Sequence, residues 1–191
     1  MKKFLISSVV ASSVLFGNNV VEINVNKDTL KVGADLYLNR YYNVNNSSNY
    51  YVTFDYLRKE EEDKEAQSIK SMGLKMINPY TDDHGLSLGL GIKSVYTDVI
   101  DSKTFVALPL TMHGRLEINE VIYLDIDVSY SPKVLSFSDA NRYTDMQFRA
   151  NYRVLTNGYV FVGARRIDTK YEDIDETKFD SSVFFGLEAR F

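Results

Sequence analysis

Apolar residues recur at every second position over most of this chain. That period admits strands with two unlike faces and excludes helices with one buried stripe. In GLSLGLGIKSVY, Leu86, Leu88, Leu90 and Ile92 share one face, and Ser87, Gly89, Gly91 and Lys93 share the other. VIYLDIDVSY sets Ile122, Leu124, Ile126, Val128 and Tyr130 against Tyr123, Asp125, Asp127 and Ser129. YTDMQFRANYRV opposes Met146, Phe148, Ala150 and Tyr152 to Asp145, Gln147, Arg149 and Asn151. DSSVFFGLEARF ends the chain with Val183, Phe185, Leu187, Ala189 and Phe191 on one side, and Ser182, Phe184, Gly186, Glu188 and Arg190 on the other. Ten strands are expected, at about 20–26, 30–39, 50–58, 67–77, 85–97, 104–117, 121–131, 142–154, 158–168 and 179–191. Eight remain if the first hairpin is peripheral. The best helical candidate, RKEEEDKEAQSIK, is short and lies between strands, so it reads as a charged loop with a helical turn at most.

The first residues differ in kind. MKKFLISSVVASSVLFG places two lysines before an apolar run from Phe4 to Phe16, the pattern of a secretory leader. The run is too short for a membrane helix, which needs ~20 apolar residues. Cleavage is expected after Gly17, giving a leader over 1–17 and a single barrel over 18–191. No later stretch reaches spanning-helix length. The net charge of -4 gives no reason to expect nucleic acid as a partner. With no cysteine, disulfides, thiolate metal sites and cysteine nucleophiles are excluded.

Connection lengths point to an up-and-down antiparallel barrel. Counting back from the C-terminus, IDTKYEDIDETK is long, LTNG short, SPKVLSFSDANR long and INE short. Long loops at one end and tight turns at the other are the habit of outer-membrane barrels, and ~11-residue strands tilted ~45° cross the hydrocarbon. NRYYNVNNSSN breaks the alternation, being long where a tight turn is expected.

Alternation alone leaves open which face points outward; an inward apolar face would make a soluble ligand-binding barrel. Three features favour the transmembrane arrangement. The polar face carries Gly73, Gly89, Gly91, Gly163 and Gly186 beside strong charges, as expected where a narrow lumen must admit long arginines. Its charges are matched: Lys75, Lys93, Arg115, Arg149, Arg165 and Arg190 against Asp35, Glu117, Asp125, Asp127, Asp145 and Glu188. Enclosed ions need such pairing. The apolar face is nearly free of charge, with Lys70 and Arg166 near strand ends, where they reach the interface. Tyr50, Tyr96, Tyr130 and Tyr152 suit aromatic girdles. Pro109, in the middle of TFVALPLTMHGRLEI, lacks an N–H for the ladder, and a bulge is expected there.

From Asn119 onward, YSPKVLSF after a strand, LTNG leading into FVGARRI, a polar loop and a last strand ending in Phe resemble the YfaZ-type family of small outer-membrane β-barrel proteins. VEINVNKDTLKVGADLYL matches it less specifically. The resemblance implies residence in the outer membrane of a Gram-negative cell after export. It also implies a C-terminal assembly signal, here Phe185, Leu187 and Phe191, read by the barrel-assembly machinery with help from periplasmic chaperones. It carries no activity across.

The chemistry expected is slight. Asp82, Asp83 and His84 form a polar turn on the tight-turn side. His113 shares the polar face with Arg115 and Glu117 and has no serine beside it on its strand; a lipid-directed enzyme built on His113 is the low exception to a non-enzyme. The runs KEEEDKE and KYEDIDET read as solvated loops. The expectation is a monomeric structural or interaction barrel, without cofactor or metal, contacting outer-membrane lipids. Its lumen is plugged by a network of Lys75, Lys93, Arg115, Glu117, Asp125, Asp127, Arg149, Arg165, Glu188 and Arg190. A low-conductance pore is the alternative.

Overall fold

The computed structural model describes residues 18–39, 48–60, 65–78, 85–99, 103–173 and 177–191. The leader, the Asp82–His84 turn and most of the KEEEDKE run lie outside them. The strands are β1 (Val20–Val25), β2 (Thr29–Tyr37), β3 (Asn49–Lys59), β4 (Gln67–Asn78), β5 (Leu86–Thr97), β6 (Phe105–Ala107), β7 (Leu110–Glu117), β8 (Ile122–Ser131), β9 (Ser136–Ser138), β10 (Ala140–Leu155), β11 (Gly158–Tyr171) and β12 (Thr177–Arg190). Their aromatic and β-branched content suits a pleated wall with two environments.

Neighbouring wall positions pair antiparallel, and β1 closes the ring on β12, from Val20↔Arg190 to Val25↔Phe185. Two wall positions are interrupted: β6 and β7 occupy one, β8 and β9 the next, so ten strand positions form the closed barrel. The first hairpin is part of the wall. Closure leaves no free edge, the condition for a sheet to stand in hydrocarbon.

The faces lie as the alternation and charge pattern require. Leu88, Ile126, Phe148 and Phe185 are 52%, 52%, 48% and 64% exposed on the outside, while Asp125 and Arg149 inside are 1% and 6% exposed. The soluble ligand-binding arrangement is thereby overturned. A closed barrel with this apolar belt is built for an outer membrane. Lys70 stands in register between Tyr56 and Tyr96 on the outer surface, with its ammonium 5.7 Å from the Tyr96 ring centre. Arg166, also outward, pairs with Asp168 at 2.6 Å.

Asn19 and Phe191 exchange backbone bonds of 3.0 and 3.1 Å and mark what we call the terminal end. The β7–β8 and β10–β11 turns lie there, and so do the C-terminal end of β2 and the N-terminal end of β3. At the opposite, distal end the β1–β2 turn is tight, because the Asn26 side-chain oxygen accepts from the backbone N–H groups of Asp28 and Thr29 at 2.8 and 2.7 Å.

Pro109 does not create the expected bulge in its own strand. The register against β5 is the same on both sides of it, Val95↔Ala107 and Ile92↔Leu110, and the Pro109 carbonyl accepts from Lys93 N–H at 3.1 Å. The irregularity sits in the next wall position. There a one-turn 3-10 segment, Lys133–Leu135, separates β8 from β9, and Leu108 N–H donates to the Leu135 carbonyl at 2.8 Å. A true bulge lies elsewhere: Ile167 faces Asp180 and Asp168 faces Lys178, leaving Phe179 of β12 as the extra residue. Phe179 and Asp180 are consequently both buried, against the alternation.

Candidate functional site

Two glycine–phenylalanine pairs organise the lumen side of β11 and β12. Phe161 lies opposite Gly186, and Gly163 opposite Phe184. A Cβ on Gly186 would run into the Phe161 ring, and one on Gly163 into the Phe184 ring. These glycines therefore make room for rings, and not directly for arginines as the sequence pattern implied. The arginines then lie on the rings: Arg149 over Phe161 at 5.1 Å and Arg165 over Phe184 at 5.0 Å.

From that floor the ion pairs cross the lumen. Asp125 receives Arg115 Nε at 2.7 Å, Arg149 Nη2 at 3.0 Å and the Asn151 amide at 3.1 Å. Arg149 also binds Glu22 on the first hairpin and lies 3.8 Å from Glu188. Arg165 binds Asp180 at 2.7 Å, Asn24 at 3.2 Å and Thr29 at 3.0 Å. Glu188 accepts from Arg190 at 2.7 Å and from the Tyr123 hydroxyl at 3.0 Å, and Arg190 lies 4.3 Å from the Tyr159 ring centre. Lys75 pairs with Asp35 at 2.5 Å and Lys93 with Asp145 at 3.0 Å. Lone ions in such surroundings would each cost several kcal/mol; paired and hydrogen-bonded, they hold opposite walls together.

Nine of the ten residues expected in the network stand in it. The tenth, Glu117, is exposed at the terminal end of β7. Others were not anticipated. Lys31 bridges Glu22 at 2.8 Å and Asp55 at 3.0 Å, and Asp180 holds Arg165. Glu22 and Asn24 alternate with Val21, Ile23 and Val25, and that alternation is the signal in the sequence that places them on the lumen face.

His113 is buried with Nδ1 donating to Asp127 at 2.8 Å, while Nε2 makes no hydrogen bond and lies 4.0 Å from the Asp125 carboxylate. This reproduces the orienting half of a hydrolytic triad without a hydroxyl bonded to the imidazole. The nearby Thr111 and Ser129 hydroxyls bond each other at 3.1 Å. Among the described residues no three His, Cys, Asp or Glu side chains converge as a metal site, and no helix is long and apolar enough to cross a membrane. Within the lumen lies a cavity of about 160 Å³, lined from every wall position, from Glu22 of β1 round to Glu188 of β12.

On the outer face of β12, Phe185, Leu187 and Phe191 are 64%, 58% and 42% exposed.

Among solved structures, DcaP, an outer membrane channel of Acinetobacter baumannii, superposes with a TM-score of 0.43 at 9% identity, covering 90% of this chain and 62% of that one. OmpT, an outer membrane protein of Vibrio cholerae, gives 0.41 at 12% identity over 90% and 63%. An anion-selective porin from Comamonas acidovorans gives 0.39 at 5% identity over 85% and 47%. The chain thus spans less than two thirds of the length of these three barrels. Comparison with curated proteins found no match. A family model described as YfaZ precursor matches residues 1–191, and the chain belongs to that family.

Proposed function

We propose that this protein is a structural or interaction-type barrel of the outer membrane whose lumen is closed to through-flow. What supports the reading is the crossing of the lumen by buried, mutually paired charges, with Asp125 and Arg149 tying β7, β8 and β10 to Glu22 of β1. A wide aqueous channel leaves such groups to water; here they satisfy one another. Purified protein in planar bilayers is expected to give no stable open steps, and reproducible unitary currents would reject the closed lumen.

A low-conductance pore is the second reading, favoured by the cavity within the lumen. The same recordings decide between them. No catalytic role is assigned to His113; unchanged lipid composition in a His113→Ala strain is the expected result.

The belt contacts outer-membrane lipids, and the barrel works as a monomer. The loops of the distal end face outward. During biogenesis Phe185, Leu187 and Phe191 are read by the assembly machinery. A Phe191→Ser chain is expected to accumulate less of the folded, heat-modifiable form.

A further inference from the structure

The lumen changes character along its axis. Toward the distal end apolar side chains take over much of its lining: Leu57, Ile69, Val95, Phe105, Tyr143 and Phe179 point inward from six wall positions, each 4% exposed or less, with Lys59 donating to the Phe179 carbonyl at 2.7 Å and the Arg165–Asp180 pair beside it. They belong to one contiguous apolar cluster. Phe105 stands at its centre, with ring centres 6.3 Å from Tyr143 and 5.1 Å from Tyr171.

The cavity lies directly beneath. It is bounded above by Leu57, Ile69, Tyr143 and Ile167 of that cluster and extends to Val20 and Ile77 near the terminal end. Between these limits its walls are charged, with Lys31, Asp55, Lys75 and Asp127 among them, and the unpartnered Nε2 of buried His113 belongs to a residue of the same lining. A roomy cavity with charged walls and an unsatisfied nitrogen holds water, on the order of ten molecules at this volume. The cluster offers far less to water: Tyr171 within it and Thr97 beside Phe105 keep hydroxyls without a hydrogen-bond partner, and an ion entering it would lose its hydration for little in return.

We propose that this apolar septum completes the seal of a lumen that the paired charges narrow and brace, and that the charged cavity below it is an aqueous vestibule entered from the terminal end. The inference rests on the closed-lumen reading above and adds where the closure lies. It makes the ion pairs the walls of a wet chamber and the aromatic cluster its lid.

The absence of cysteine allows a direct test with single thiols and a membrane-impermeant methanethiosulfonate. Asp173→Cys, at a distal residue whose side chain is 83% exposed, marks the distal side. Thr111→Cys reports the vestibule. It is expected to react from the terminal side and to resist reagent applied from the side that modifies Asp173→Cys. Modification of Thr111→Cys from the distal side would overturn the proposal, and this assay leaves the septum intact. In planar bilayers, Phe105→Ala/Phe179→Ala is expected to introduce unitary currents absent from the parent, whereas Asp125→Asn stays closed. A folded double variant that remains closed removes the septum's role while leaving the closed-lumen reading standing. Currents in the unaltered protein remove both.

Discussion

At the scale of single residues, the same formal interaction has unequal worth in this molecule. Asp125 serves two guanidinium groups and an amide from a position closed to solvent, so Asp125→Ala leaves Arg115 and Arg149 short of their counter-ion. The expected cost is roughly 3–5 kcal/mol, seen as a lower urea midpoint for the barrel refolded in lipid vesicles. Lys103 and Asp173 form a pair at 3.3 Å, but the Asp173 side chain is 83% exposed. Lys103→Ala is therefore expected to shift the same midpoint by about 0–1 kcal/mol at most, less in high salt. A Lys103→Ala loss as large as that of Asp125→Ala would contradict the assignment of stability to the enclosed network.

At the scale of elements, the central residues of each strand set the membrane fit. Ile126, mid-strand in β8 and 52% exposed, faces the acyl chains. Ile126→Lys is expected to destabilise the folded barrel by about 2–4 kcal/mol, whereas Asp127→Lys acts through the lumen and disturbs His113 without touching the lipid contact. Strand positions and faces were legible in the sequence because a period of two needs only local composition: Leu88 and Phe148 outside, Asp125 and Arg149 inside. Pairing was not legible. Which cation meets which anion depends on the stagger between strands, and no single strand carries that information. Arg165 meets Asp180 diagonally, two residues from its register partner Ser182, Phe179 turns inward only because β12 bulges there, and the three-residue 3-10 turn at Lys133–Leu135 has no alternation to betray it. The lid was hidden only in part: Val95 and Ile167 fall on the polar side by alternation alone, whereas Phe179 turns inward through the bulge, and their convergence into one cluster depends on the register.

At the scale of the whole molecule, closure makes the terminal strands mutually dependent. The seam between β1 and β12 is stitched by backbone pairs from Val20↔Arg190 to Val25↔Phe185, and by Glu22 reaching Arg149 across the interior. Deleting residues 18–37 removes one side of that seam and exposes the edge of β12. The shortened chain is expected to lose heat-modifiable migration in detergent; retention of a compact, fast-migrating band would mean that an eight-strand ring closes without the first hairpin.

The proline in the wall has a mechanical corollary. Having no N–H, Pro109 cannot return the bond that Lys93 gives it, and beside it the next position is broken by the 3-10 turn. Two adjoining staves are thus under-fastened at one height, which makes this the place where the cask yields first under load. Pulling on the barrel, or leaving it in heavy water, is expected to loosen the amides of Lys93 and Leu108 before those of the uninterrupted β10–β11 ladder; equal protection in both places would show that the lost fastening is made good elsewhere.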